Sequence, residues 1–341
     1  MSRRVIWSTC GLLLWLLLAL TDCAIQPGTP VDRTAQVVLS DAPRRSGFRV
    51  ISVFLPPTLP TRQIWLSLKD DLSADFDLAT QQLKPETTPA DIARELSRVN
   101  PSCVVLIGNR AVNLYRKYQQ RNPGPFPPAV VVMASFLDEQ LPLLKNATGI
   151  AYEIPGITTF VNLRKVLQRP VERVGVVHRA LFSRYLRKQR ELATLEKVQI
   201  VAAQVPDNPR ADEIASALER LIKHDKVDAI WVLNDNALLK PELIPGWLTV
   251  LHENPIAVVV GVSTLVDARV HFGSFAMLPD HGALGAQTSD LILRLADEGW
   301  LIDKEPAELP ISVEKVVDLP WLNEHFEVRA GALDQVDRIV K

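Results

Sequence analysis

Cysteine is almost missing from this chain. Of three in 341 residues, Cys10 and Cys23 fall in the leader and only Cys103 stands in the body. An internal disulfide framework is excluded, so an apolar core must hold the fold. Opening an apolar run, Cys103 reads as a small buried hydrophobe rather than a nucleophile. Excess charge of either sign is missing too: 38 basic against 39 acidic residues leave no global field to recruit nucleic acid, and no nucleic-acid partner is expected. The catalytic templates also fail. There is no Gly-x-Ser-x-Gly elbow, Gly-x-Gly-x-x-Gly fingerprint, Walker A sequence or Cys-x-x-Cys pair. His178, His224, His252, His271, His281 and His325 never fall at close ligand spacing, so neither metal nor cofactor is expected. Binding without turnover is the expected activity. The remaining alternative is an exported α/β enzyme using Asp235 and Glu153 as a carboxylate pair.

What is present begins with an address. Arg3 and Arg4 precede the apolar run Gly11 to Leu20, which is shorter than the roughly 20 residues of a spanning helix. That order is a secretory signal, assigned to residues 1–24, with an uncleaved anchor as its rival. Leu20-Thr-Asp-Cys23 partly resembles a lipobox, from which Asp22 departs, so a lipid anchor at Cys23 and plain cleavage near Cys23 or Ala24 both stand open. A periplasmic or otherwise extracytoplasmic location follows. Residues 25–47, rich in Pro, Ser, Thr and charge around Val37-Val-Leu39, read as a linker.

Beyond it the pattern alternates. Continuous apolar runs fall at Arg49 to Leu55, Cys103 to Gly108, Ala129 to Ala134, Val174 to Val177, Val198 to Val205, Ala229 to Leu233, Ile256 to Val262 and Ser274 to Met277. Runs without polar alternation suit strands covered on both faces. Helical stretches lie between them, with Thr88-Pro89 and Asn208-Pro209 as N-cap and first-turn signals. Strand, helix, strand predicts an α/β chain of parallel, doubly wound sheets. Some nine strands over about 290 residues suit two sheets better than one.

Each apolar run ends in small polar residues: Asn109 and Arg110, Ser135, His178 and Arg179, Asn234, Asp235 and Asn236, Ser263 and Thr264. Carboxyl ends of parallel strands gather at one sheet edge, where ligands bind in open α/β folds. Taken singly, each of these residues is also a common turn former or helix cap. Arg110 and Arg179 could clamp a carboxylate while Glu153 and Asp235 receive an ammonium, which together suit a zwitterion. Tyr152 offers an apolar wall, whereas Trp231, lying mid-strand, reads as core.

This order of elements resembles the ABC-transporter substrate-binding family of type I periplasmic binding proteins, in its tryptophan- and tyrosine-type branch. The resemblance is carried by Ala147-Thr-Gly-Ile150, Arg173-Val-Gly-Val-Val177, Val227-Asp-Ala-Ile-Trp-Val-Leu-Asn-Asp-Asn236 and Gly273-Ser-Phe-Ala276 with Leu284-Gly285. It implies two Rossmann-like lobes joined by a hinge with three crossovers and a ligand in the cleft between them. Residues 48–148 and 272–309 would form lobe one, 149–271 and 310–326 lobe two, and 327–341 a C-terminal tail. By position the family's ligand contacts fall on Asn109, Arg110, Ser135, Tyr152, Glu153, His178, Asn234, Asp235, Asn236, Ser263 and Thr264. The partners implied are a small-molecule ligand, an amino acid or related solute, and an inner-membrane ABC permease or a membrane sensor. His178-Arg-Ala180 and Ser263-Thr-Leu265 depart from loops that contact ligand in the family, which bears on the ligand's identity.

Overall fold

A computed structural model describes residues 45–302 and 306–341. The expected signal peptide, Cys10, Cys23 and nearly all of the expected linker lie outside the described residues. Two compact units divide the chain. The N-terminal unit runs to Glu153 and includes Pro279–Val313; the C-terminal unit comprises Ile154–Leu278 and Glu314–Lys341. The chain therefore passes from one unit to the other three times.

In the N-terminal unit, β1 (Arg49–Leu55), β2 (Phe76–Gln82), β3 (Cys103–Ile107), β4 (Ala129–Val132) and β5 (Ala147–Gly149) form one sheet in the order β2-β1-β3-β4-β5. Every pairing is parallel. β3 and β4 are buried at every position, which is why they read as unbroken apolar runs. On one face Ile51, Val53, Val105 and Val130 pack with Ile64, Leu68 and Ile292; on the other Val104, Leu106 and Val131 pack with Ile92, Leu96 and Tyr115. Those helical partners recur at helix spacing, so each helix turns one stripe to the sheet. The helix Pro89–Val99 starts as the sequence predicts: Thr88 caps it, and Asp91 accepts the Thr88 N–H at 2.9 Å to close a capping box. Cys103 is fully buried, and burial pushes its thiol pKa up to about 12.

The C-terminal unit carries β6 (Arg173–Arg179), β7 (Gln199–Val205), β8 (Ala229–Trp231), β9 (Ala257–Val260), β10 (Phe275–Pro279), β11 (Val313–Asp318) and β12 (Arg338–Val340), in the order β12-β11-β10-β9-β8-β6-β7. From β7 to β10 the strands are parallel. Asp280 N–H bonds to Ser312 O and Asp318 N–H to Ser274 O. These pairs run in opposite senses, so β11 is antiparallel to β10.

Several expectations need correction. The strand around Ser274, assigned by sequence to lobe one, pairs with β9 in the seven-stranded sheet, because the chain crosses over only after Leu278. Gly149 does not open the second unit: it ends β5, a strand missed for its shortness. A Cβ there would lie 2.2 Å from the Val131 carbonyl oxygen, so the glycine serves close strand packing rather than a hinge. Residues 327–341 are not a simple tail, since β12 pairs with β11. β2 was missed because, as an edge strand of mostly half-buried residues, it lacks an apolar run. Asn208 is not a cap. The helix starts two residues beyond Pro209, at Ala211, so the cap position falls to Arg210, whose N–H donates to Glu213 at 2.8 Å.

Candidate functional site

All the expected contact residues lie at, or a few residues beyond, the carboxyl ends of strands. Within each unit these strands are parallel, so the residues gather on one edge of their own sheet.

In the N-terminal unit, Asn109 follows β3 and Ser135 follows β4. The Asn109 Oδ1 accepts the Ser135 N–H at 2.9 Å and a Gln140 Nε2 proton at 2.9 Å. Gln140 also donates to the Ser135 carbonyl at 2.5 Å. Glu153 accepts the N–H of Phe136 at 2.7 Å, which places its carboxylate at the same loop. Asn109, Ser135 and Glu153 are thus brought together. Arg110 is not: its guanidinium donates to the carbonyls of Lys84 and Pro85 at 2.6 and 2.7 Å, fastening the loop after β2. Tyr152 is buried in the core, its hydroxyl 3.1 Å from His281 Nε2.

Sequence reasoning missed two contributors here. One is Gln140. The other is the end of β1, where the Thr61 hydroxyl donates to Pro56 O at 2.6 Å and pairs with Thr58 in a capping box. The order β2-β1-β3 puts the sheet's switch point between β1 and β3, so this turn flanks the position where such sheets bind ligands. The legible signal was Thr58-Leu-Pro-Thr61, a cap residue and Pro before a helix.

In the C-terminal unit the switch point lies between β6 and β8. Arg179 ends β6, Asp235 follows β8, and the two meet there. Arg179 Nε and Nη2 donate to the two Asp235 oxygens at 2.7 and 2.8 Å. The Asp235 side chain is only 3% exposed and that of Arg179 16%. Asp235 also accepts the Ala237 N–H at 3.0 Å. This hydrogen-bonded carboxylate raises the Arg179 pKa further, so the guanidinium stays charged.

His178 is buried beside the pair, its Nδ1 2.9 Å from the Arg179 carbonyl. Burial lowers its pKa, the Arg179 carbonyl opposes the shift, and the nearby Arg190 charge adds to it. Asn234 lies against Gly261, whose missing Cβ would meet the Asn234 Oδ1 at 2.5 Å. The ends of β8 and β9 are thereby in contact. Ser263 is half-buried in a single helical turn, whereas Thr264 and Asn236 are exposed. Trp231 is core, edge-on to Phe160. Among the described residues, no group of three or more His, Cys, Asp or Glu is placed to hold a metal ion.

No protein-family model and no curated protein matches this sequence. Solved structures do match. CD0873 of Clostridium difficile, described as a substrate-binding protein with adhesive properties, aligns over 86% of this chain and 99% of its own, at 13% identity and a TM-score of 0.66. A conserved domain protein from Vibrio cholerae aligns over the same shares, 86% and 99%, at 17% identity and 0.55. AraP, an arabinose-binding protein from Geobacillus stearothermophilus, aligns over 82% of this chain and 100% of its own, at 11% identity and 0.52. With two open sheets and three chain passages, the protein has the type I periplasmic binding protein fold. Of these three, CD0873 and AraP are described as binding proteins.

Proposed function

We propose that the protein is an extracytoplasmic solute-binding protein that captures a small organic molecule at the carboxyl edges of its parallel sheets and delivers it to an inner-membrane ABC permease. The observation that carries this reading is the polar lining of both carboxyl edges. Asn109 and Ser135 line one, at the ends of β3 and β4, and Arg179, Asp235 and Asn234 line the other around its switch point. Edges of this kind are where open α/β sheets take ligands. The leader supports export, and the binding proteins CD0873 and AraP, which share the fold, support capture by analogy.

The amino acid or related zwitterion suggested by the sequence finds less support in the side chains. Arg110 is engaged with backbone carbonyls, and Arg179 and Asp235 are engaged with each other. The test is native mass spectrometry of the exported protein, with identification of any co-purifying solute, followed by calorimetric titration. A stoichiometric small molecule that rebinds after removal is the expected result. A protein that carries none and gives no heat with a broad solute library would overturn the proposal.

A further inference from the structure

We infer that the Arg179–Asp235 pair is a specificity filter that closes the carboxyl edge of the C-terminal unit to carboxylates and ammonium groups and selects small uncharged solutes bearing hydroxyl, carbonyl or amide groups. The inference rests on the solute-binding reading above and narrows its ligand class.

The pair stands at the sheet's switch point and fills it with its own neutralised charge. Both Asp235 oxygens accept from Arg179, and one also accepts from Ala237, so little acceptor capacity is left for a ligand ammonium. Arg179 spends Nε and Nη2 on the same carboxylate, and its Nη1 faces the Asp207 carbonyl at 3.5 Å. A ligand carboxylate could take the place of Asp235 only by breaking a buried pair, which is strongly unfavourable. The Nη1 and second Nη2 protons that remain belong to a guanidinium whose charge Asp235 already neutralises.

Apart from the exposed carboxylate of Asp207 beyond β7, whose charge acts on Arg179, the polar groups expected to contact ligand along this edge are neutral. Asn236 and Thr264 are exposed, and Asn234 and Ser263 half-buried. Amides and hydroxyls donate and accept equally well, which suits uncharged polar solutes. Specificity of this kind comes from the penalty on the wrong ligand as much as from contacts with the right one.

The experiment titrates the wild-type protein with three panels: neutral hexoses, polyols and nucleosides; the standard amino acids; and short mono- and dicarboxylates. The tightest uncharged ligand is expected to bind roughly 100-fold or more tightly than any member of the charged panels, the size of effect that goes with a broken buried pair. Asp235→Asn keeps the shape but frees Arg179, and should gain about tenfold or more in carboxylate affinity, as for a new charge-assisted contact. An amino acid or carboxylate as the tightest wild-type ligand would overturn the filter while leaving solute binding intact. Silence from all three panels, with nothing co-purifying, would count against both. A folded D235N variant that gains no carboxylate affinity would also overturn the filter. Should that variant fail to fold, the wild-type panels decide alone.

Discussion

The Asn109 side chain ties the end of β3 to the end of β4, its Oδ1 accepting the Ser135 N–H at 2.9 Å. Two strand ends that the sequence shows only as separate polar interruptions are one hydrogen-bonded corner. Gln140 completes it by bonding both Asn109 and the Ser135 carbonyl.

Asn109→Ala removes the acceptor for two donors in this corner. The expected cost is about 1 kcal/mol, since Asn109 is exposed and water can replace part of what is lost. If the corner shapes a ligand-binding edge, affinity for the co-purified solute should fall more than stability does. Urea unfolding and calorimetry on the same variant separate the two effects.

Gly261→Ala is expected to act through Asn234. The new Cβ would lie 2.5 Å from the Asn234 Oδ1, and that amide can rotate away. Stability should therefore change little, by about 1 kcal/mol or less, while solute affinity drops. Equal affinity in the variant and the wild type would remove Asn234 from the ligand edge.

Gly149→Ala meets backbone instead of a movable side chain, the Val131 carbonyl oxygen at 2.2 Å. The β4–β5 pairing must shift to admit it, so a loss of about 2–3 kcal/mol is expected, at the upper end of overpacking costs. Chemical denaturation measures it, and hydrogen exchange at Thr148 and Ile150 should show the loosening locally.

His178 gives the stability a pH dependence whose sign follows from burial. Its folded-state pKa lies below the ordinary 6.5, so on acidification the unfolded chain takes up this proton first. The contribution is fully present above about pH 6.5 and is lost as the pH falls toward the lowered folded value. His178→Gln should flatten that part of the profile. Urea midpoints collected from pH 5 to 8 provide the check, and an unchanged slope in the variant would assign the dependence to other groups.

Much of the fold was legible because β3, β4 and β9 are buried along their whole length, and two-sided burial leaves a continuous apolar run in the sequence. β2, β5 and β12 left no such mark. The first is an edge strand of mostly half-buried residues, and the other two have three residues each. The place of β10 was hidden for another reason: an apolar run states that a strand is buried, not which sheet buries it.

The candidate residues divide in the same way. That polar groups follow β3, β4, β6, β8 and β9 was fixed by local chemistry, since a chain leaving a buried strand must turn and needs Asn, Asp and Ser to do so. What those groups do was decided by partners far away in sequence. Arg179 meets Asp235 56 residues later, and Arg110 reaches back 26 residues to the Lys84 carbonyl. The sequence alone determined the alternation of strand and helix, the missing disulfides and the location of the sheet edges. Only the tertiary structure decided which charges remain available there, because a charge pairs with whatever the folded chain brings within a few ångströms of it.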